Sequence, residues 1–103
     1  MTYLTEPSIG TILLVDDNQA FVDSTRDILK MINYEVLCAK NVSEARKKMR
    51  QNKFTHLLID LMLPDGSGIK VLEGLSAEQL DATTITIITG HPTVKAAVES
   101  MYG

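Results

Sequence analysis

Phe54-Thr55-His56-Leu57-Leu58-Ile59-Asp60 is an apolar run of strand length that ends in a lone carboxylate, and Leu63-Pro64-Asp65-Gly66-Ser67-Gly68 follows as a turn-rich loop. The same design occurs upstream. Thr11-Ile12-Leu13-Leu14-Val15 is continuously apolar, as expected of a strand covered on both faces, and stops at Asp16-Asp17. Between these runs Asn18 is placed to cap a helix with Phe21, Thr25, Ile28, Leu29 and Ile32 on one side and Asp23, Arg26, Asp27 and Lys30 on the other, ending near Asn33. Tyr34 to Ala39 reads as a second short strand. Ser43 is then expected to cap a helix with Val42, Ala45 and Met49 inward and Arg46, Lys47, Lys48 and Arg50 on a solvated face. Downstream, a helix is expected from about Ser67 to Leu80, with Ile69, Leu72, Leu75 and Leu80 inward. Thr84-Ile85-Thr86-Ile87-Ile88-Thr89 is the fourth strand, β-branched throughout, and Gly90-His91-Pro92 breaks it before a last helix from Thr93. Strand-length runs alternating with helical periods predict an α/β fold, an open parallel sheet with helices on both faces.

The 103 residues are 45% hydrophobic and 22% charged, enough for one core and one domain. Residues 1–10 read as an N-terminal tail and 11–103 as that domain. Ten basic side chains against 13 acidic ones give a net charge of -3, with no basic run to neutralise a row of phosphates, so direct nucleic-acid binding is not expected. The one cysteine, Cys38, can form neither an internal disulfide nor a multi-thiolate metal site; it reads as a small apolar core side chain in a protein of the cytoplasm. No apolar run approaches the roughly 18 residues that span a bilayer, and no membrane association is expected.

In an open parallel sheet, ligands bind beyond the carboxyl ends of the strands. Asp16-Asp17, Asp60 and Thr89 all fall at such ends and are expected to converge. Three clustered carboxylates repel one another and are best tolerated around a divalent cation; oxygen-only ligands with room for water suit Mg²⁺ better than zinc. A carboxylate beside that ion can act as a nucleophile toward phosphorus, and a hydroxyl such as that of Thr89 can then bond a phosphoryl oxygen.

These residues resemble the receiver domain of two-component response regulators. Ile12-Leu13-Leu14-Val15-Asp16-Asp17 is similar to the family's first strand and acidic pair, and Leu58-Ile59-Asp60-Leu61-Met62-Leu63-Pro64-Asp65-Gly66-Ser67-Gly68 to its phosphoacceptor strand and loop. Ile87-Ile88-Thr89-Gly90 resembles its switch strand, and Thr93 to Tyr102 is similar to the next helix in receivers attached to transcriptional activators. The resemblance implies a flavodoxin-like (CheY-like) sheet with strand order 2-1-3-4. It further implies that Asp60 accepts a phosphoryl group from a histidine kinase, that Asp17, Asp60 and the backbone carbonyl of Met62 bind Mg²⁺ with Asp16 helping through water, and that Thr89 is the switch hydroxyl. Met62 and His91 would flank the water that attacks an aspartyl phosphate.

Receivers continue into a fifth strand ending in Lys-Pro and a fifth helix, whereas Gly103 is the last residue here. The fold is therefore expected to be C-terminally truncated, without the family's lysine, for which Lys95 is a poor substitute. The fourth strand then becomes an open edge, and apolar surface beside the first helix is uncovered, which predicts a homodimer through that edge. Two other classes compete. A degenerate receiver would act only in protein interaction or dimerisation, and a Mg²⁺-dependent phosphatase of the haloacid dehalogenase class would need a second aspartate where Met62 stands. A flavin-binding reading fails because the acidic residues after the first strand would repel a phosphate. His56 reads as packed or at an edge, and Asp65 as a turn former.

Overall fold

The computed structural model describes residues 8–88. The elements are β1 (Thr11–Val15), α1 (Gln19–Met31), β2 (Glu35–Ala39), α2 (Val42–Gln51), β3 (His56–Asp60), β4 (Met62–Leu63), β5 (Gly66–Ser67), α3 (Ile69–Leu72), α4 (Ala77–Ala82) and β6 (Thr84–Ile88). Four strands form a parallel sheet in the order β2-β1-β3-β6, which is the expected 2-1-3-4 arrangement. Leu13 pairs with Leu37 on one side and Leu57 on the other, and Leu57 pairs with Ile85. Thr89, His91, Lys95 and the expected helix from Thr93 lie outside the described residues.

Because side chains alternate across a strand, odd and even positions build different layers. Leu13, Val15, Leu57 and Ile59 face α2 and α3 and join Ala45, Met49, Val71 and Leu75 in one buried cluster. The expected inward face of α2 is correct: Val42, Ala45 and Met49 are all buried. Its cap is not the one expected. Helix α2 begins one residue earlier than a Ser43 cap allows, and the Asn41 side chain accepts the Glu44 N–H at 2.7 Å. An amide oxygen directly before the first helical residue reaches the third helical N–H, whereas Ser43 is already inside the helix.

Two further expectations are corrected. The single helix from Ser67 to Leu80 is in fact two short helices, because Ser76 starts a new one: its hydroxyl accepts the Gln79 N–H at 3.1 Å, and the Gln79 side chain accepts the Ser76 N–H at 2.9 Å. This reciprocal pair is a capping box, and it resets the helical phase so that Leu75 is buried while Leu80 is exposed. In α1 the Asn18 cap is as expected, its side chain accepting the Phe21 N–H at 3.1 Å. The apolar stripe is not: Val22 is the buried residue of this helix, while Phe21, Ile28 and Ile32 are exposed, Ile28 by 61%. The helix packs against β2 with Val22 buried and Thr25 and Leu29 half-buried, and the rest of its apolar arc is exposed. Cys38 is half-buried in β2, not a core residue. His56 packs edge-on against Tyr34 with ring centroids 5.4 Å apart, a packed side chain as expected.

Candidate functional site

Strands β1 and β3 are parallel neighbours, with Val15 paired to Ile59, so the residues that follow them emerge side by side. Asp16 leaves β1 with its N–H donated to the Ala39 carbonyl of β2 at 3.0 Å. Its carboxylate accepts the Asn18 N–H at 2.9 Å. Asp60 closes β3, paired in register with Ile88, and its carboxylate accepts the Met62 N–H at 2.9 Å. Both carboxylates are nearly out of solvent, Asp16 at 7% and Asp60 at 5% exposure, while Asp17 is exposed. One oxygen of each of the three lies within 4.8 Å of the others. The sequence therefore named three residues that the fold does bring together; Thr89, the fourth, lies outside the described residues.

Burial pushes the Asp16 carboxyl above the usual carboxylate range; the Asn18 N–H opposes this, and the charges of Asp60 and Asp17 add to the rise. Ionising Asp16 beside two other carboxylates therefore carries an electrostatic cost. A divalent cation among the three would answer it, and an all-oxygen donor set with an exposed member at the solvent side fits Mg²⁺. Asp16, Asp17 and Asp60 are the residues that could hold it. Met62 is exposed at its side chain, but its backbone is tied to the site through the bond to Asp60.

The loop after Asp60 is more ordered than its turn-rich composition suggested. Met62 pairs with Ser67 and Leu63 with Gly66 in a small antiparallel hairpin tipped by Pro64 and Asp65, and the Gly68 N–H donates to the Leu61 carbonyl at 3.0 Å. At Gly68 a Cβ would collide with the carbonyl oxygen of Asp60 and stand 3.1 Å from both Ile59 Cγ1 and Leu61 Cα. Glycine lets the start of α3 lie directly on the end of β3. Asp65, read from the sequence as a turn former, also accepts the N–H groups of Val42 at 2.7 Å and Ser43 at 3.1 Å. That partner is 23 residues away in the chain, and no local pattern signals it. The Asn41 cap, by contrast, was readable from Asn41-Val42-Ser43-Glu44.

Comparison with known proteins agrees with this fold. The response regulator receiver domain matches residues 12–102, and the chain belongs to that family. Among its relatives are the acid tolerance regulatory protein ActR of Rhizobium meliloti, 31% identical over 88% of this chain, and the alginate biosynthesis transcriptional regulatory protein AlgB of Pseudomonas aeruginosa, 32% identical over 89%. The chain spans 46% of the length of ActR and 20% of AlgB, less than half of either. Of solved structures, a CheY-like receiver domain protein from Methanospirillum hungatei is 34% identical with a TM-score of 0.73, covering 92% of this chain and 75% of that one. The response regulator TrrA from Thermotoga maritima, solved in complex with Mg(2+)-BeF, is 25% identical with a TM-score of 0.73, covering 90% and 80%. Both carry the flavodoxin-like receiver fold seen here.

Proposed function

We propose that Asp60 is a phosphoacceptor that receives its phosphoryl group from a histidine kinase in a Mg²⁺-dependent reaction. A carboxylate oxygen of Asp60 attacks phosphorus, the bond from phosphorus to the donor imidazole breaks, and an aspartyl phosphate forms. Asp17, Asp60 and the Met62 carbonyl would hold Mg²⁺, with Asp16 acting through water. Bound there, the ion would neutralise charge on the transferring group. Asp16 supplies the third carboxyl of the cluster, and Met62 orients Asp60 through its N–H. Thr89 is assigned as the hydroxyl that bonds the phosphoryl group and carries the signal onward. The observation that carries this reading is the convergence of three carboxylates, two of them buried, within 4.8 Å at the ends of adjacent strands.

The domain, residues 11–103, would act in the cytoplasm and serve transcription control, as the names of its relatives suggest. No helix among the described residues is long and apolar enough to cross a membrane. We assign the partners as a histidine kinase and a second copy of the chain, paired through the β6 edge, where Thr84, Thr86 and Ile87 are exposed. A related receiver, that of NtrC4, was solved as a beryllofluoride-activated dimer.

The test is phosphorylation with a small acyl phosphate and Mg²⁺, read by intact mass and peptide mapping. One phosphoryl group is expected on Asp60, absent in Asp60→Asn and absent with chelator. Label that survives Asp60→Asn overturns the assignment, and no label at all leaves an interaction module. Met62 has no group to orient an attacking water, so the phosphorylated form is expected to be long-lived and Met62→Asn to shorten its lifetime.

A further inference from the structure

The hairpin that follows Asp60 has only two residues in each strand and an exposed tip, too little to hold its own position in water. It is held from outside. Asp65 at the tip uses both carboxylate oxygens, one on the Val42 N–H at 2.7 Å and one on the Ser43 N–H at 3.1 Å, the first two donors of α2. A helix begins with N–H groups that have no partner inside it, and negative charge is favoured there. These donors are divided between two sources. Asn41, the local cap, takes the Glu44 N–H, and Asp65 takes the two before it.

One turn further on, the Arg46 guanidinium donates from Nε and Nη2 to the Lys70 carbonyl in α3, at 3.2 and 2.7 Å. Helix α2 therefore grips the segment after Asp60 at two points, the hairpin tip and the short helix beyond it. It is itself fixed by Val42, Ala45 and Met49 in the core. The other end of the hairpin is Met62, whose N–H donates to the Asp60 carboxylate. A shift of the tip would move that N–H and the Met62 carbonyl together.

We propose that Asp65 is a positioning residue for the acidic site: by tying the hairpin to the first turn of α2, it sets the placement of Met62 and hence the affinity of the site for a divalent cation. This rests on the reading of Asp16, Asp17 and Asp60 as a cation site. The competing view is that Asp65 only stabilises α2. Asn41→Ala separates the two, because it removes a cap from the same helix turn while leaving the hairpin tied.

Mn²⁺ is titrated as the probe into the whole chain and into four variants, with circular dichroism melts run in parallel. Asp65→Ala is expected to bind Mn²⁺ about tenfold more weakly, the scale on which partners of metal ligands act. Asp65→Asn, which keeps one acceptor oxygen, should fall between it and the wild type. Asn41→Ala should melt lower yet bind Mn²⁺ like the wild type. Wild-type affinity in Asp65→Ala, or equal weakening in Asn41→Ala, overturns the positioning role. Asp17→Asn identifies the other failure: if it binds Mn²⁺ unchanged, the ion sits elsewhere and the site reading falls first, taking this proposal with it.

Discussion

Among the described residues, the two faces of the sheet are packed to different degrees. On the face of Leu13, Val15, Leu57 and Ile59, helices α2 and α3 bring Ala45, Met49, Val71 and Leu75 into one buried cluster. On the opposite face Ile12, Leu14 and Val22 are buried, but Phe21 and Ile28 of α1 and Ile32 directly after it are exposed, and so are Thr84 and Thr86 of β6. An apolar side chain contributes to stability through the area it loses to water and the contacts it gains, so equally hydrophobic residues on the two faces carry unequal weight. The site draws on the closed face. Its hairpin and α3 are braced by α2, which is embedded there, while Asp16 leads out of β1 toward α1.

The largest expected effect is a core truncation on the closed face. Leu57→Ala should lose about 3 kcal/mol in urea unfolding, because a fully buried leucine leaves a cavity. The matching change on the open face, Ile28→Ala, should lose no more than about 0.5 kcal/mol. Equal losses would break the contrast.

Next is Gly68→Ala, which forces a methyl group against the Asp60 carbonyl and should cost about 2 kcal/mol by the same measurement. It should also weaken cation binding, since the atoms displaced belong to Asp60 and its neighbours. A neutral outcome would mean that the α3 junction yields more easily than its packing implies.

Smaller and opposite in sign is Asp16→Asn. A carboxyl whose folded pKa is raised adds stability that is complete below its unfolded value and is lost as pH rises through the folded one. At neutral pH Asp16 is therefore a burden in the cation-free protein. The asparagine variant should melt higher at pH 7 without added cation, and this gain should vanish in acid. Asp65 behaves in the reverse sense: the Val42 N–H foremost, with the Ser43 N–H and the charge of Lys70 helping, holds its carboxyl below the usual range despite some loss of hydration. Its contribution is present above the ordinary carboxylate pKa and fades as pH falls through the folded one. Melts from pH 3 to 8 on both single variants check the two signs.

The smallest effect on stability should come from Ile28→Asp, which adds a charge to a side chain already 61% exposed. It also sharpens the comparison, because sedimentation on dilution separates two modes of dimerisation. If the chain pairs through the β6 edge as proposed, Ile28→Asp leaves the dimer intact. Dissociation would move the interface to α1, and a monomer in the wild type would remove the dimer altogether.

Much of this was legible in one dimension because it depends on local rules. A continuous apolar run reads as a buried parallel strand, a carboxylate at its end reads as a candidate site, and the order of the sheet follows from the family that Leu58 to Gly68 and Ile12 to Asp17 resemble. Asp16, Asp17 and Asp60 needed only that their strands be neighbours. The breaks in this legibility have equally physical causes. Ser76 and Gln79 satisfy each other reciprocally, and that choice ends a helix which periodicity alone would continue to Leu80. The apolar stripe of α1 records hydrophobicity but not which half of it the sheet covers, since that depends on the helix lying over β2. Above all, the sequence determined that Asp65 would turn the chain, and the tertiary structure alone decided that its two oxygens would take N–H groups of a helix 23 residues earlier. A carboxylate finds such a partner only after β1 and β3 have paired and α2 has settled on them.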